Sequence, residues 1–322
     1  MYHDWPLDEL RAYRGQVARP DDFAAFWQDT LAWSRSLAQP VERARLRTPL
    51  RSAAVHDLTF SGFGGDPVKA WLITPAAGGP WPAVVEFVGY GGGRGHWLDH
   101  LGLASAGLAH LVMDSRGQGA SWSFGQTADP HGSGPAVPGV MTRGVTSRET
   151  YYYRRLMTDA VLATETVCRL PEIDPERVIV TGASQGGGLA LAAAAWADQV
   201  AGGFYRVPFL CDIPRALTVT DDYPFHELVD YLHIHRDRAD QVMSVLAYFD
   251  AVNLARQVTV PGVFTVGLMD TTVPPSGVFA AYNQYSGPKR LQEWPFNGHE
   301  GGGPLDDVAL LDFCAAQLGL SA

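Results

Sequence analysis

The chain has 322 residues, of which 46% are hydrophobic and 18% charged, with a formal net charge of −10. That composition supplies one large core and excludes a disordered or solvating chain. The acidic balance argues against a nucleic-acid partner, which needs a basic stripe, and against an anionic membrane surface.

The length fits one α/β domain of about 250 residues with additions, rather than two full enzyme domains. The opening "MYHDWPLDEL" has neither a basic n-region nor an apolar h-region, so no signal peptide is expected. No apolar run reaches about 18 residues, so no transmembrane helix and no membrane partner are expected. Cys168, Cys211 and Cys314 are odd in number and far apart. They fit a reducing, cytoplasmic setting without a disulfide framework. Neither Cys-x-x-Cys nor His-Glu-x-x-His occurs, so no metal site is signalled, and the reading needs no cofactor.

Residues 1–50 read as an N-terminal helical extension. Asp21 or Asp22 is placed to cap a helix whose Phe23, Phe26, Trp27 and Leu31 share one face. "AAVHDLTFSGFGGDPVKAWLITP" reads as two strands around a Gly-Asp turn. "PAVVEFVGYGGG", "LAHLVMDSRGQG", "RVIVTGASQGGG" and "VPGVFTVGLMD" are continuous apolar runs that end in glycine-rich or polar loops. Such runs suit central strands of a parallel sheet buried on both faces. Between them, "TYYYRRLMTDAVLATETVCRLP" places Tyr152, Leu156, Ala160 and Ala163 on one helical face, with Pro171 as the stop. The strand–helix alternation from about residue 83 predicts a doubly wound, mostly parallel sheet. Residues 204–250 break that rhythm and read as a helical insertion. "ADPHGSGPAVPGVMTRGVTSRE" is a long Gly/Pro-rich connection, a length usually reserved for functional or interfacial loops.

Gly182-Ala183-Ser184-Gln185-Gly186 matches Gly-x-Ser-x-Gly. The pentapeptide alone is a weak signal, but here it follows an apolar strand and opens a small-residue helix. At such a corner the serine backbone is strained and its neighbours must lack side chains. Ser184 then stands at a helix N-terminus, where the Gln185 N–H faces a developing negative charge. A serine nucleophile needs a base and the base needs an orienter. Asp270 ends the strand "GVFTVGLMD", and His299 lies in the loop after "RLQEWPF". Both fall past C-terminal strand ends, where ligands bind in open α/β sheets, and in the chain order Ser, acid, His. The run Gly89-Tyr90-Gly91-Gly92-Gly93 follows an earlier strand, and its Tyr90 N–H is the expected second oxyanion donor. His233 and His235 read as solvated. His96, His100, His110 and His131 lie near loops where any of them could line a pocket.

With these motifs the chain resembles carbohydrate esterase family seven, the acetyl xylan esterases and cephalosporin C deacetylases. The resemblance rests on Arg116-Gly117-Gln118, on Gly182 to Gly186, and on His299-Glu300. It extends through "GYGGGRG", "TYYYRR", "PFLCD", "AYFDAVNLA" and "GLMDTTVPPSGVFAAYN" over nearly the whole chain. It implies an α/β-hydrolase fold, with Ser184 as nucleophile, Asp270 as orienting acid and His299 as base. The main-chain N–H groups of Tyr90 and Gln185 match the family's oxyanion hole. It gives the Arg116-Gly117-Gln118 motif a structural role, with Arg116 tying active-site loops together through forked hydrogen bonds. Glu300 reads as structural too. The resemblance further implies a homohexamer, a trimer of dimers with active sites facing an inner chamber. Gly91 stands where relatives often carry a polar residue, and Thr272 where similar chains are commonly apolar. Tyr90, Pro224 and Thr272 are the candidates for the acyl-pocket wall. The expected activity is deacetylation of small esters, namely acetylated xylo-oligosaccharides, other sugars and cephalosporin C, through an acetyl-enzyme. The competing readings are an acyltransferase or peptidase on the same fold, and a non-catalytic scaffold.

Overall fold

The apolar runs become the centre of one mixed sheet. A computed structural model of the chain describes residues 2–132 and 134–320. Among the described residues the sheet has nine strands: β1 (Glu42–Arg45), β2 (Ala53–Ser61), β3 (Pro67–Pro75), β4 (Trp81–Phe87), β5 (Ala109–Met113), β6 (Ile173–Ala183), β7 (Gly202–Arg206), β8 (Gly262–Gly267) and β9 (Lys289–Trp294). Their spatial order is β1-β2-β3-β5-β4-β6-β7-β8-β9. β2 and β3 form the antiparallel hairpin expected around Gly65 and Asp66, with Ser61 opposite Pro67. β4 pairs in parallel with β5 on one side and β6 on the other, and the parallel run continues through β7, β8 and β9. The chain therefore reverses its winding around β4, which creates a switch point at the C-terminal strand ends.

Side-chain alternation sorts the core into two layers. Val85, Val180, Tyr205 and Phe264 pack with the Tyr152–Cys168 and Gln185–Trp196 helices. Val84, Ile179, Phe204 and Val263 pack on the opposite face with Leu310 and Phe313 of the Pro304–Leu318 helix. Period-two alternation sends successive residues to opposite faces, and both faces are covered. Each fully buried side chain such as Phe204 contributes roughly 2 kcal/mol of apolar transfer. The Gln185–Trp196 helix has no charged residue and is buried from Gln185 through Ala193. A helix apolar all round belongs in a core, and this one lies under the centre of the sheet.

Three local expectations change. The insertion expected over 204–250 starts later, because residues 204–206 complete β7. That strand is only five residues long and begins with two glycines, so its apolar run is too short to stand out. The insertion proper carries the Ile213–Ala216, His226–Ile234 and Ala239–Leu246 helices. Residues 1–50 contain the Leu7–Ala12 and Phe23–Ser36 helices, but also β1, an exposed and charged edge strand. Charge on an edge strand discourages pairing with another chain. Asp22 occupies the N-cap position of its helix without a capping hydrogen bond. Its carboxylate accepts instead from Arg148, at 2.6 Å, and from Tyr248. The long connection falls between β5 and the Tyr152–Cys168 helix, and Ser133 within it lies outside the described residues. No helix among the described residues is long and apolar enough to cross a membrane.

Candidate active site

The site is built where β4, β6, β8 and β9 end. β6 stops at Ala183 and the next helix begins at Gln185, so Ser184 takes the whole corner with φ 56° and ψ −122°. That backbone is strained for a serine, and neighbouring main chain holds it there. The Ser184 N–H donates to the Arg206 carbonyl at 3.0 Å, and its own carbonyl accepts from Gly187 and Phe209, each at 2.9 Å. The motif glycines are required by contact. A Cβ on Gly186 would sit 2.0 Å from the Phe87 carbonyl oxygen, and one on Gly182 would sit 2.4 Å from the Gly186 carbonyl group. Both contacts are far inside van der Waals distance and involve backbone, so neither can relax cheaply.

His299 and Asp270 meet 29 residues apart in sequence, with Nδ1 2.8 Å from Oδ2. Asp270 is only 2% exposed. Its Oδ1 accepts the backbone N–H groups of Thr272 and Val273, both at 2.9 Å. A carboxylate here only accepts, so Nδ1 carries the ring hydrogen and Nε2 keeps its lone pair. Glu300 folds back on the same loop, where it accepts from Asn297 Nδ2 at 2.9 Å and from Gly298 N–H at 3.1 Å. Those hydrogen bonds, Asn297's first, hold its carboxyl below the usual range.

Ser184, His299, Tyr90, Pro224 and Thr272 line a single cavity of about 390 Å³. Asp270 and Gln185 are buried and do not line it; they reach it through His299, which Asp270 holds, and Ser184, which Gln185 follows. Strand register explains why Tyr90 arrives there: Phe87 of β4 lies opposite Gly182 of β6, so the two strands end side by side. The Tyr90 carbonyl accepts from Trp122 Nε1 at 2.7 Å. Its hydroxyl donates to Glu227 Oε1 and accepts from the Val140 N–H at 2.7 Å. Burial and the adjacent Glu227 charge push the Tyr90 phenol well above its ordinary value. Burial likewise raises the Glu227 carboxyl. Glu227 Oε2 also accepts from Met141 N–H at 3.0 Å, so the long connection is pinned against the cavity wall.

The Arg116-Gly117-Gln118 motif divides its work. Gln118 Nε2 donates to the Gln185 side-chain oxygen at 2.9 Å, and Gln118 Oε1 accepts the Gly91 N–H at 2.7 Å. The Gln118 side chain therefore joins the residue after Ser184 to the loop after β4. Arg116 does not tie active-site loops together. It is fully buried and forks onto Asp159 of the Tyr152–Cys168 helix, with a further bond to Asp66 of the β2–β3 turn at 2.9 Å. An adjoining aspartate, Asp129, lies 3.6 Å from it. Gly117 sits at φ 65°, which turns the chain between the two partners.

Trp122, Val207, Tyr223 and Glu227 belong to the site and were not singled out by sequence. The exposed Trp122 in "GASWSFG" carries the one usable signal, a large aromatic in a Gly/Ser loop just past a recognisable motif. Among the other histidines, His131 pairs with Asp66, His233 is exposed, and His235 packs on Tyr231. His96 caps a short turn, while His100 and His110 line a different cavity.

The acetyl xylan esterase (AXE1) family model matches residues 1–317. The chain belongs to this family. Acetyl xylan esterases are carboxylic ester hydrolases, and the sheet described above is that of their α/β-hydrolase fold. The solved acetyl xylan esterase from Paenibacillus sp. R4 is 33% identical, with a TM-score of 0.92 over 98% of this chain and 100% of its own. Acetyl xylan esterase 1 from Thermoanaerobacterium sp. JW/SL YS485 is also 33% identical, with a TM-score of 0.91 over 98% of this chain and 99% of its own. The curated acetyl esterase Axe7A of Xylanibacter ruminicola is 26% identical over 287 residues, or 87% of this chain. The chain spans 63% of the length of that relative. The acylaminoacyl peptidase of Pyrococcus horikoshii, 15% identical with a TM-score of 0.59, shares the fold alone.

Proposed function

We propose that this chain is a serine acetylesterase that removes acetyl groups from small acetylated substrates. The observation that carries this reading is the His299–Asp270 pair opening into the same cavity as the strained Ser184 corner. Ser184 Oγ attacks the acyl carbonyl carbon while His299 Nε2 takes its proton. Asp270 keeps the hydrogen on Nδ1 and steadies the imidazolium that forms. The oxygen of the tetrahedral intermediate is held by the backbone N–H groups of Tyr90 and Gln185, each worth on the order of 3 kcal/mol of barrier. The bond to the alcohol oxygen breaks, and that oxygen leaves with the proton from His299. Water, deprotonated by His299, then cleaves the acetyl-enzyme and restores Ser184.

Tyr90, Pro224 and Thr272 line the cavity with Ser184 and are assigned here to the wall facing the acyl group. The named functions of the solved relatives point to acetylated xylan fragments, and the same acyl chemistry extends to other acetylated sugars and cephalosporin C. A cytoplasmic homohexamer belongs to the same proposal, and light scattering checks the assembly. The reading is tested with a chromogenic acetyl ester and Ser184→Ala beside the parent. Turnover by the parent that is lost in the variant supports it. Equal turnover by both, or none by either, overturns it.

A further inference from the structure

A second cluster of chemistry-bearing side chains lies on the far face of the sheet from the Gln185–Trp196 helix. Glu86 of β4, His110 of β5 and His100 of the Trp97–His100 turn line a cavity of about 360 Å³ beneath the Pro304–Leu318 helix, with Asp99, Arg206 and Asp307. It shares no lining residue with the Ser184 cavity.

The two imidazoles are oriented by main-chain carbonyls. His100 Nε2 is 3.0 Å from the Arg94 carbonyl oxygen, and His110 Nδ1 is 3.2 Å from the His100 carbonyl oxygen. A carbonyl only accepts, so these two nitrogens carry the ring hydrogens. In the neutral rings the remaining nitrogens, His100 Nδ1 and His110 Nε2, hold lone pairs. Both face Glu86 Oε2, at 4.0 and 2.9 Å. The His110 side chain is 3% exposed, and its Nε2 is buried without an aligned hydrogen bond despite that close approach. Glu86 Oε1 is already engaged by Arg206 at 3.2 Å, which leaves Oε2 for the cluster.

With both rings neutral, these three electron-rich atoms, within 4.8 Å of one another, repel, and a cation or a proton among them relieves that repulsion. Ligand atoms about 2.0–2.2 Å from a shared ion stand roughly 3–4 Å apart. Counting Glu86, Asp99 and Asp307 against Arg206, the lining carries three negative charges and one positive, which favours a cation. We propose that Glu86, His100 and His110 form a binding site for a divalent transition-metal ion, with Zn²⁺ the best match. Two imidazoles and one carboxylate suit Zn²⁺ and its neighbours better than Mg²⁺ or Ca²⁺. The Arg94 and His100 carbonyls serve as the outer partners that orient such ligands. The ion ties β4, β5 and the Trp97–His100 turn together. Because Arg206 links Glu86 to the Ser184 N–H, the bound ion also stiffens the back of the nucleophile corner. It takes no part in acyl transfer.

The test is titration of chelator-stripped protein with Zn²⁺ and Co²⁺, followed by calorimetry and visible absorption, in the parent and in Ser184→Ala. One ion per chain is expected in both, with micromolar or tighter affinity and a melting temperature that rises with Zn²⁺ concentration. His100→Ala and Glu86→Gln should each weaken binding at least tenfold, with circular dichroism matching the parent. His233→Ala, an exposed histidine elsewhere, should leave binding unchanged. Pulsed EPR of the Cu²⁺-loaded parent should count two coordinated imidazoles, a readout that needs no variant. Failure to bind would overturn the proposal and leave an imidazolium–carboxylate pair in its place. Equal binding in the His100 and Glu86 variants, or fewer than two imidazoles, would place the ion elsewhere and overturn it too. Metal binding in Ser184→Ala is independent of esterase turnover, so the two readings fail separately.

Discussion

Gln118 and Gln185, 67 residues apart, share a hydrogen bond of 2.9 Å between their side-chain amides. Gln185 is fully buried, and its side-chain oxygen also accepts from the Tyr153 hydroxyl at 3.0 Å. Gln118 meanwhile holds the Gly91 N–H. One side chain thus sets the distance between the two loops assigned to the oxyanion hole. In Gln118→Ala that spacing loosens while the cavity wall stays in place. The expected result is a kcat reduced roughly 10- to 100-fold with KM little changed, since small misplacements near a reacting centre carry costs of that order. Steady-state kinetics on an acetyl ester checks it, and an unchanged kcat would contradict the assignment.

Asp270 gives one oxygen to His299 and the other to two backbone N–H groups. Asp270→Asn keeps the shape but can present an N–H to the imidazole, which favours the wrong tautomer. A kcat loss of roughly 10³- to 10⁴-fold is expected, as for the orienting acid of other serine triads. Retention of the fold is checked by circular dichroism, and a loss below tenfold would remove Asp270 from the proposed mechanism.

Arg116 and Asp159 are both fully buried and share two charge-assisted hydrogen bonds. Arg116→Ala strands the Asp159 carboxylate in the core and should destabilise the protein by about 3–5 kcal/mol in urea unfolding. The double replacement Arg116→Met with Asp159→Leu removes both charges and should lose less. If the double variant is the weaker one, the stranded charge is not the cause.

Glu227 braces Tyr90 and Met141 from a buried position. Burial raises its carboxyl above the ordinary 4.5, although the Tyr90 hydrogen bond works the other way. A folded-state value above the unfolded one means that the folded protein holds the proton longer. This group's share of stability is therefore complete below the unfolded value and is lost as pH rises through the raised one. Glu227→Gln removes that component. Urea midpoints measured from about pH 4 to about pH 8 should fall less steeply in the variant than in the parent. An identical or steeper fall would contradict the shift.

The central sheet was legible because strands buried on both faces write themselves as continuous apolar runs, as "RVIVT" and "VFTVG" do. The corner at Ser184 was legible because two glycines are forced there by contacts below 2.5 Å. β7 was not, since its two glycines and five-residue length leave too little pattern. The division of work between Arg116 and Gln118 was also hidden. A motif shows that both side chains matter, but only the fold shows that one turns into the core and the other toward Gln185. Glu227 carried no signal in the sequence, because a buried carboxylate looks like any acidic helix residue until its partners are known. The Glu86, His100 and His110 cluster comes from one strand, one turn and the next strand, a spacing that matches no short metal motif.

The proposed chemistry requires that Ser184 Oγ receives the acyl group. Rapid mixing of the protein with an activated acetyl ester, an acid quench and mass analysis of the peptide containing residues 178–196 tests this directly. This peptide alone should gain the mass of one acetyl group, and the gain should disappear in Ser184→Ala. An acetyl group on another residue, or turnover that persists in Ser184→Ala, would contradict it.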